Sequence, residues 1–146
     1  MPSSLSQVCQ LIVDKLEAIS TSGDQSSVQD KFHGVVGLPD STGGDRCFGV
    51  VPPFGGVRAT AAPGGTVTCP DVHEVELSII VNYTYTQDAI ARVADDGEDI
   101  TEALEDLRAA ANDILDIQLE PGDIVPEPDA QLIVATRSMV VQYQRA

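Results

Sequence analysis

Tryptophan is absent from this 146-residue chain, and the other aromatics are scarce, three Phe and three Tyr. So few rings argue against the stacking platform of a single-strand nucleic-acid binder. Basic residues are scarce too: eight Lys and Arg stand against 23 Asp and Glu, a net charge of −15. That balance argues against general nucleic-acid binding, which works by neutralising phosphates, and against docking on anionic lipid. It fits a surface that repels DNA, or one that seeks basic partners. No run of about 18 apolar residues occurs, so no membrane-spanning helix is expected. The opening MPSSLSQVCQ has no basic segment leading into an apolar core, so no secretory signal is expected. Cys9, Cys47 and Cys69 are odd in number and lack CxxC spacing, which implies free thiols in a reducing cytoplasm.

What is present supports a folded chain. Hydrophobic residues make up 42% of it, too many for a disordered tail. At this length one domain, residues 1–146, buries enough surface to need no disulfide or metal staple. Its central feature is residues 72–86, VHEVELSIIVNYTYT. Val75, Leu77, Ile79, Val81, Tyr83 and Tyr85 fall on one face. Glu74, Glu76, Ser78, Asn82 and Thr84 fall on the other, where Ile80 is the apolar intruder. A period of two over this length is a β-strand. At ~3.3 Å per residue it spans roughly 50 Å, longer than a small domain covers with its own core. Part of it is expected to project, and another surface to pack on it.

Around that stretch the chain reads as follows. Ser4-Leu5-Ser6-Gln7 is a capping box, and the apolar spacing after it predicts a helix over 5–20. Residues 28–36 and 46–51 are short strands. Residues 52–66, PPFGGVRATAAPGGT, form an irregular excursion, because Pro and Gly remove helix and ladder options. Asp99-Ile100-Thr101-Glu102 resembles a second capping box, with a helix over 100–119 stopped at Pro121-Gly122. PGDIVPEPD is a proline-rich connector. Residues 130–143 form the last strand, apolar on both faces and so expected to be covered on both. The order α-β-β-β-α-β predicts an α+β fold with a mostly antiparallel sheet and two helices packed on one face.

Little in the chain points to chemistry. His33, His73 and Asp71 match no metal-ligand spacing, and structural roles are expected for them. A nucleophilic Cys47 or Cys69 would need positive surroundings that this acidic chain does not offer. Neither G-x-S-x-G nor a Walker A sequence occurs. The cluster Asp95-Asp96-Gly97-Glu98-Asp99 lacks the alternating ligands and closing Glu of a calcium loop. It reads as charge favouring the N-terminus of the second helix, or as a solvated face, such as a ring lumen. No catalytic residue, cofactor or metal is expected. The excursion 52–66 is expected to be a contact element carried by Phe54 and Arg58, since aromatics and Arg are enriched at the energetic centres of interfaces. Arg46 and Arg137 are further contact candidates. Glu74, Glu76, Asp95, Asp96 and Glu98 are candidates for an acidic surface or lumen.

The succession SLSQVCQLIVDKLEAI, then two short strands, the long VELSIIVNYTYT, the helix opened by DITEALEDLRAA and the closing LIVATRSMVVQYQ resembles the tail terminator proteins of long-tailed bacteriophages, the group that includes minor tail protein U of lambdoid phages. The resemblance covers nearly the whole chain. It implies a structural virion protein at the head-proximal end of the tail, assembled in the host cytoplasm. Such proteins form a hexameric ring that caps the tail tube, ends its polymerisation and offers a docking surface to the head–tail connector. The partners implied are further copies of the chain, the tail tube protein and the connector or neck protein, with no sequence-specific nucleic acid, although DNA passes through the ring, and no membrane. Two alternatives are another virion ring, such as a head–tail joining or tail tube protein, and a small cytoplasmic enzyme using His33 or His73. The excursion 52–66 is long for the family.

Overall fold

The computed structural model describes residues 4–19, 32–39, 46–54, 58–61, 68–110 and 114–144. Its elements run α1 (Leu5–Glu17), β1 (His33–Val36), β2 (Cys47–Val51), β3 (Arg58–Ala61), β4 (Thr68–Thr84), α2 (Ala89–Ala110), β5 (Ile114–Leu119), β6 (Asp123–Glu127) and β7 (Leu132–Gln144). A 3-10 turn, Pro128–Ala130, precedes β7. This is an α+β fold. The expected α-β-β-β-α-β frame is present, and β3, β5 and β6 are further short strands within it.

The alternating stretch becomes β4, with Val75, Leu77, Ile79, Val81 and Tyr83 all buried beneath the helices. β7 pairs antiparallel with it from Val72↔Gln144 to Thr84↔Leu132. The two long strands form the middle of the sheet. β2 and β3 lie end to end along the free edge of β4, at residues 78–82 and 68–74. β5 and β6 lie end to end along the free edge of β7, at residues 139–143 and 132–136. Among the described strands only β1, paired with β2, is parallel. Ile133, Met139, Val141 and Tyr143 of β7 are buried on the helix side, whereas Leu132, Val134 and Val140 on the other face are half-buried. Among the described residues, the cover expected on both faces of this strand is complete on one.

α1 begins as the capping box requires. The Ser4 Oγ accepts from the Gln7 backbone N–H at 3.3 Å, and the Gln7 Oε1 accepts from the Ser4 N–H at 2.8 Å. These two bonds satisfy donors that every helix start leaves open. Val8, Cys9, Ile12, Val13 and Leu16 form its buried stripe. The helix ends at Glu17, three residues before the expected limit.

α2 departs further from expectation. It starts at Ala89, eleven residues before Ile100, and stops at Ala110. Its buried stripe runs through Ala89, Val93, Asp96, Ile100, Ala103, Leu104 and Leu107. A buried aspartate occupies one of the core positions, so the polar run around it hid the helix. Asp95, Asp96, Glu98 and Asp99 therefore lie inside α2, and its first turn carries no acidic residue. This overturns both the second capping box and the helix-dipole reading of that cluster. Residues 114–119, expected as helix, are β5. A register shift between Ile114 and Asp116 lets Ile114 and Ile117 both turn inward. A bulge of this kind inserts one residue, and the resulting spacing of three imitates a helical period.

Candidate interaction surface

The topology gives the molecule two unlike flanks. On the first, β4 outruns its partner. Val72 faces Gln144, the last described residue of β7, and beyond that point Thr68 and Cys69 pair with β3. β3 thus lines the start of β4, and the excursion 52–66 contains a strand where none was expected. After β2 stands Phe54, fully exposed at 107%. Pro52 and Pro53 fix its approach by locking φ. Arg58 opens β3 in register with Glu74.

On the second flank a mostly apolar groove of about 250 Å³ opens between α2 and the sheet. Val81, Tyr83, Val93, Ile100, Ile124 and Ala135 line it. The segment leading into β6 forms its rim and lies tight on β7. A Cβ added at Gly122 would sit 1.8 Å from the Thr136 carbonyl oxygen, so only glycine permits that approach. Arg137 closes one end. Its Nε donates to the Glu120 carbonyl at 3.1 Å, and its Nη1 donates to the Thr101 hydroxyl. That hydroxyl donates in turn to the Gly97 carbonyl at 2.8 Å. Arg137, expected as a contact residue, thereby joins α2 to the β5–β6 connection and remains half-buried. Nothing in the sequence marked the groove: Ile124 lies in a proline-rich connector, and Val93 in a stretch not assigned to a helix.

Arg46 is not part of a free surface, which corrects its expected role. It is 2% exposed and grips Asp96 of α2 with two bonds, Nε–Oδ2 at 2.9 Å and Nη2–Oδ1 at 3.2 Å. Its guanidinium also lies 5.8 Å from the centre of the Phe32 ring, within cation–π range. The backbone at Arg46 is left-handed, φ 60, a conformation that costs a non-glycine residue about 1 kcal/mol or more. Burial pushes the Asp96 carboxyl above its ordinary value, opposed by Arg46 and by a hydrogen bond from Tyr83. Asp96 is therefore an internal strut and no part of an acidic lumen.

The remaining acidic candidates do not form one patch. Glu74 and Glu76 lie on the sheet face turned away from the helices, where the Glu74 carboxylate accepts from Gln142 at 3.1 Å. Asp95 and Glu98 are exposed on α2, on the opposite side of the sheet. The histidines do not converge either. His33 is level with Cys47 and hence with Asn82, nine residues along β4 from His73, or roughly 30 Å at ~3.3 Å per residue. His73 packs edge-on to the Tyr143 ring, centroids 5.9 Å apart. Among the described residues no group of three His, Cys, Asp or Glu could hold a metal ion. Cys9 is buried, and desolvation pushes its thiol up to about 11, which suppresses the reactive thiolate. Cys47 is buried as well. Among the described residues no helix is long and apolar enough to cross a membrane.

No protein-family model and no curated protein matches this chain. Two features set its flanks apart: a strand end paired with β3 beside an exposed aromatic on one side, and a mostly apolar groove on the other.

Proposed function

We propose that this chain is a structural virion protein, the subunit of a ring that caps a phage tail tube, ends its polymerisation and presents a docking surface to the head-side connector. The observation that carries the reading is the length of β4. Seventeen residues at ~3.3 Å span about 55 Å. A domain of 146 residues has a radius of gyration of ~15 Å, a sphere about 40 Å across. The strand is longer than such a sphere is wide, and we take the surplus, its Thr68 end, as an arm. An arm has edges that another chain can pair with or pack on. The half-buried apolar positions on the outer face of β7 add surface suited to a neighbour.

The acidic balance is consistent with this role. A ring through which DNA passes must not hold the DNA, and Glu74 and Glu76 on the outer sheet face repel phosphates. The partners proposed are further copies of the chain, six in the ring, together with the tube protein and the connector. Copies carrying −15 each repel one another at low salt, so the ring forms fully on the tube. The role proposed is assembly and not catalysis. Cross-linking followed by mass measurement on purified tails tests the reading. The expected product is a closed ladder of this chain up to a ring. Its absence from virions overturns the proposal.

A further inference from the structure

We propose that Phe54 is the knob, and the groove beneath α2 the hole, of a head-to-tail contact between copies of this chain. The proposal deepens the ring reading, on which it rests for closure of the ring. A wholly exposed Phe holds a large apolar surface in water, and such a ring contributes strongly once buried in an interface. The groove is mostly apolar, with Val81, Val93, Ile100 and Ile124 in its lining beside the charged Asp123 and Arg137. At about 250 Å³ it exceeds the cavity of ~150 Å³ that admits a benzene molecule, and falls below the ~300 Å³ at which drug-sized ligand sites begin. It suits a single aromatic side chain.

Charge and topology both name a second copy as the occupant. Residues 47–57, CFGVVPPFGGV, carry no charge in a chain of −15, so this segment approaches an acidic neighbour without repulsion. Phe54 belongs to the flank where β2 and β3 line β4, and the groove opens on the flank where β6 lines β7. Phe54 is wholly exposed, so it does not fill the groove of its own chain. Phe54 therefore meets the groove of the next copy, and each copy offers one knob and one hole. Such a contact is heterologous: it closes into a ring when the rotation per copy divides a full turn, and runs on as a filament when it does not.

The absence of tryptophan provides a clean assay. The Phe54→Trp chain carries the single tryptophan of any mixture, so its emission reports the surroundings of position 54 alone. Titration with wild-type chain is expected to shift that emission to the blue and to saturate. The Phe54→Ser chain, whose groove is intact, is expected to serve equally well as acceptor. The Ile124→Asp chain is expected to produce no shift. Ile124 is 41% exposed, so the change does not bury a charge in the free chain, and circular dichroism checks its folding. Failure of Phe54→Ser as acceptor indicates a symmetric Phe–Phe contact and overturns the proposal. An equal shift with Ile124→Asp overturns the assignment to the groove, and so does no shift up to ~1 mM wild-type chain, beyond which contacts are weaker than about 4 kcal/mol. None of these results depends on whether the chain occurs in tails. The ring reading can fail by absence from virions while this contact stands, or survive while this contact fails.

Discussion

Replacing Arg46 by Met tests the internal strut. Arg46 and Asp96 are both about 2% exposed, so solvent does little to soften the loss of one partner. Met retains the length and the left-handed backbone, and the comparison isolates the guanidinium. Removing one member of a buried pair costs about 3–5 kcal/mol, because the other is left without compensation. For 146 residues at ~2.1 cal/mol/K each, the unfolding entropy is about 0.3 kcal/mol/K, so the melting temperature falls by ~10–15 °C at neutral pH. The pH dependence adds a sign. Burial already holds the Asp96 carboxyl above its ordinary value, and Arg46 is the larger of the influences opposing that. Without Arg46 the folded-state value rises further above the unfolded one. For a carboxyl shifted in this direction, stability is fully present below the unfolded value and is lost as pH rises through the folded value. The Arg46→Met penalty is therefore greatest at neutral and higher pH, and shrinks in acid as Asp96 takes up its proton. Melting of both chains by circular dichroism from about pH 4, near the ordinary carboxyl value, up to about pH 8 reads this directly. The triple change Arg46→Met, Asp96→Leu, Tyr83→Phe removes the charged pair together with the hydroxyl that bonds it, and is expected to be neutral or stabilising, by up to ~4 kcal/mol. A penalty below ~1 kcal/mol for Arg46→Met, in the range of exposed pairs, or one that grows on acidification, refutes the reasoning.

Two further outcomes follow from local structure. Ser4→Ala removes the side-chain acceptor for the Gln7 N–H and is expected to lower stability by about 1 kcal/mol in urea unfolding, while Ser4→Asp restores most of it. Cys9, with its thiol pushed up to about 11 and its side chain fully covered, is expected to resist a thiol reagent at pH 8 in the folded chain and to react promptly in denaturant; prompt reaction in the native chain contradicts the burial.

The elements written in simple periods were legible in the sequence. The strict alternation of β4 and the S-x-x-Q start of α1 needed no tertiary context. The misread segments are those where tertiary structure overrides the local pattern. Asp96 is polar in sequence and core in the fold, because Arg46, fifty residues earlier, neutralises it. No local pattern reveals that, so the sequence predicts no helix over the first eleven residues of α2. The bulge in β5 produced the opposite error, a strand with helical spacing. β3 is short and set among Pro and Gly, and it exists because β4 offers it an edge. For the surface, Phe54 was legible as an aromatic in an uncharged loop, whereas Arg46 was not, since a lone basic residue in sequence looks the same exposed or buried. The groove was invisible, because it is assembled from four separate elements.

The central claim, a ring subunit that ends tail growth, is tested most directly by electron microscopy of tails from a phage whose copy of this gene carries an early stop codon. The account predicts tubes of irregular, excessive length without heads, restored to uniform length when the wild-type chain is supplied. Tails of normal length joined to heads in the absence of this chain would contradict it.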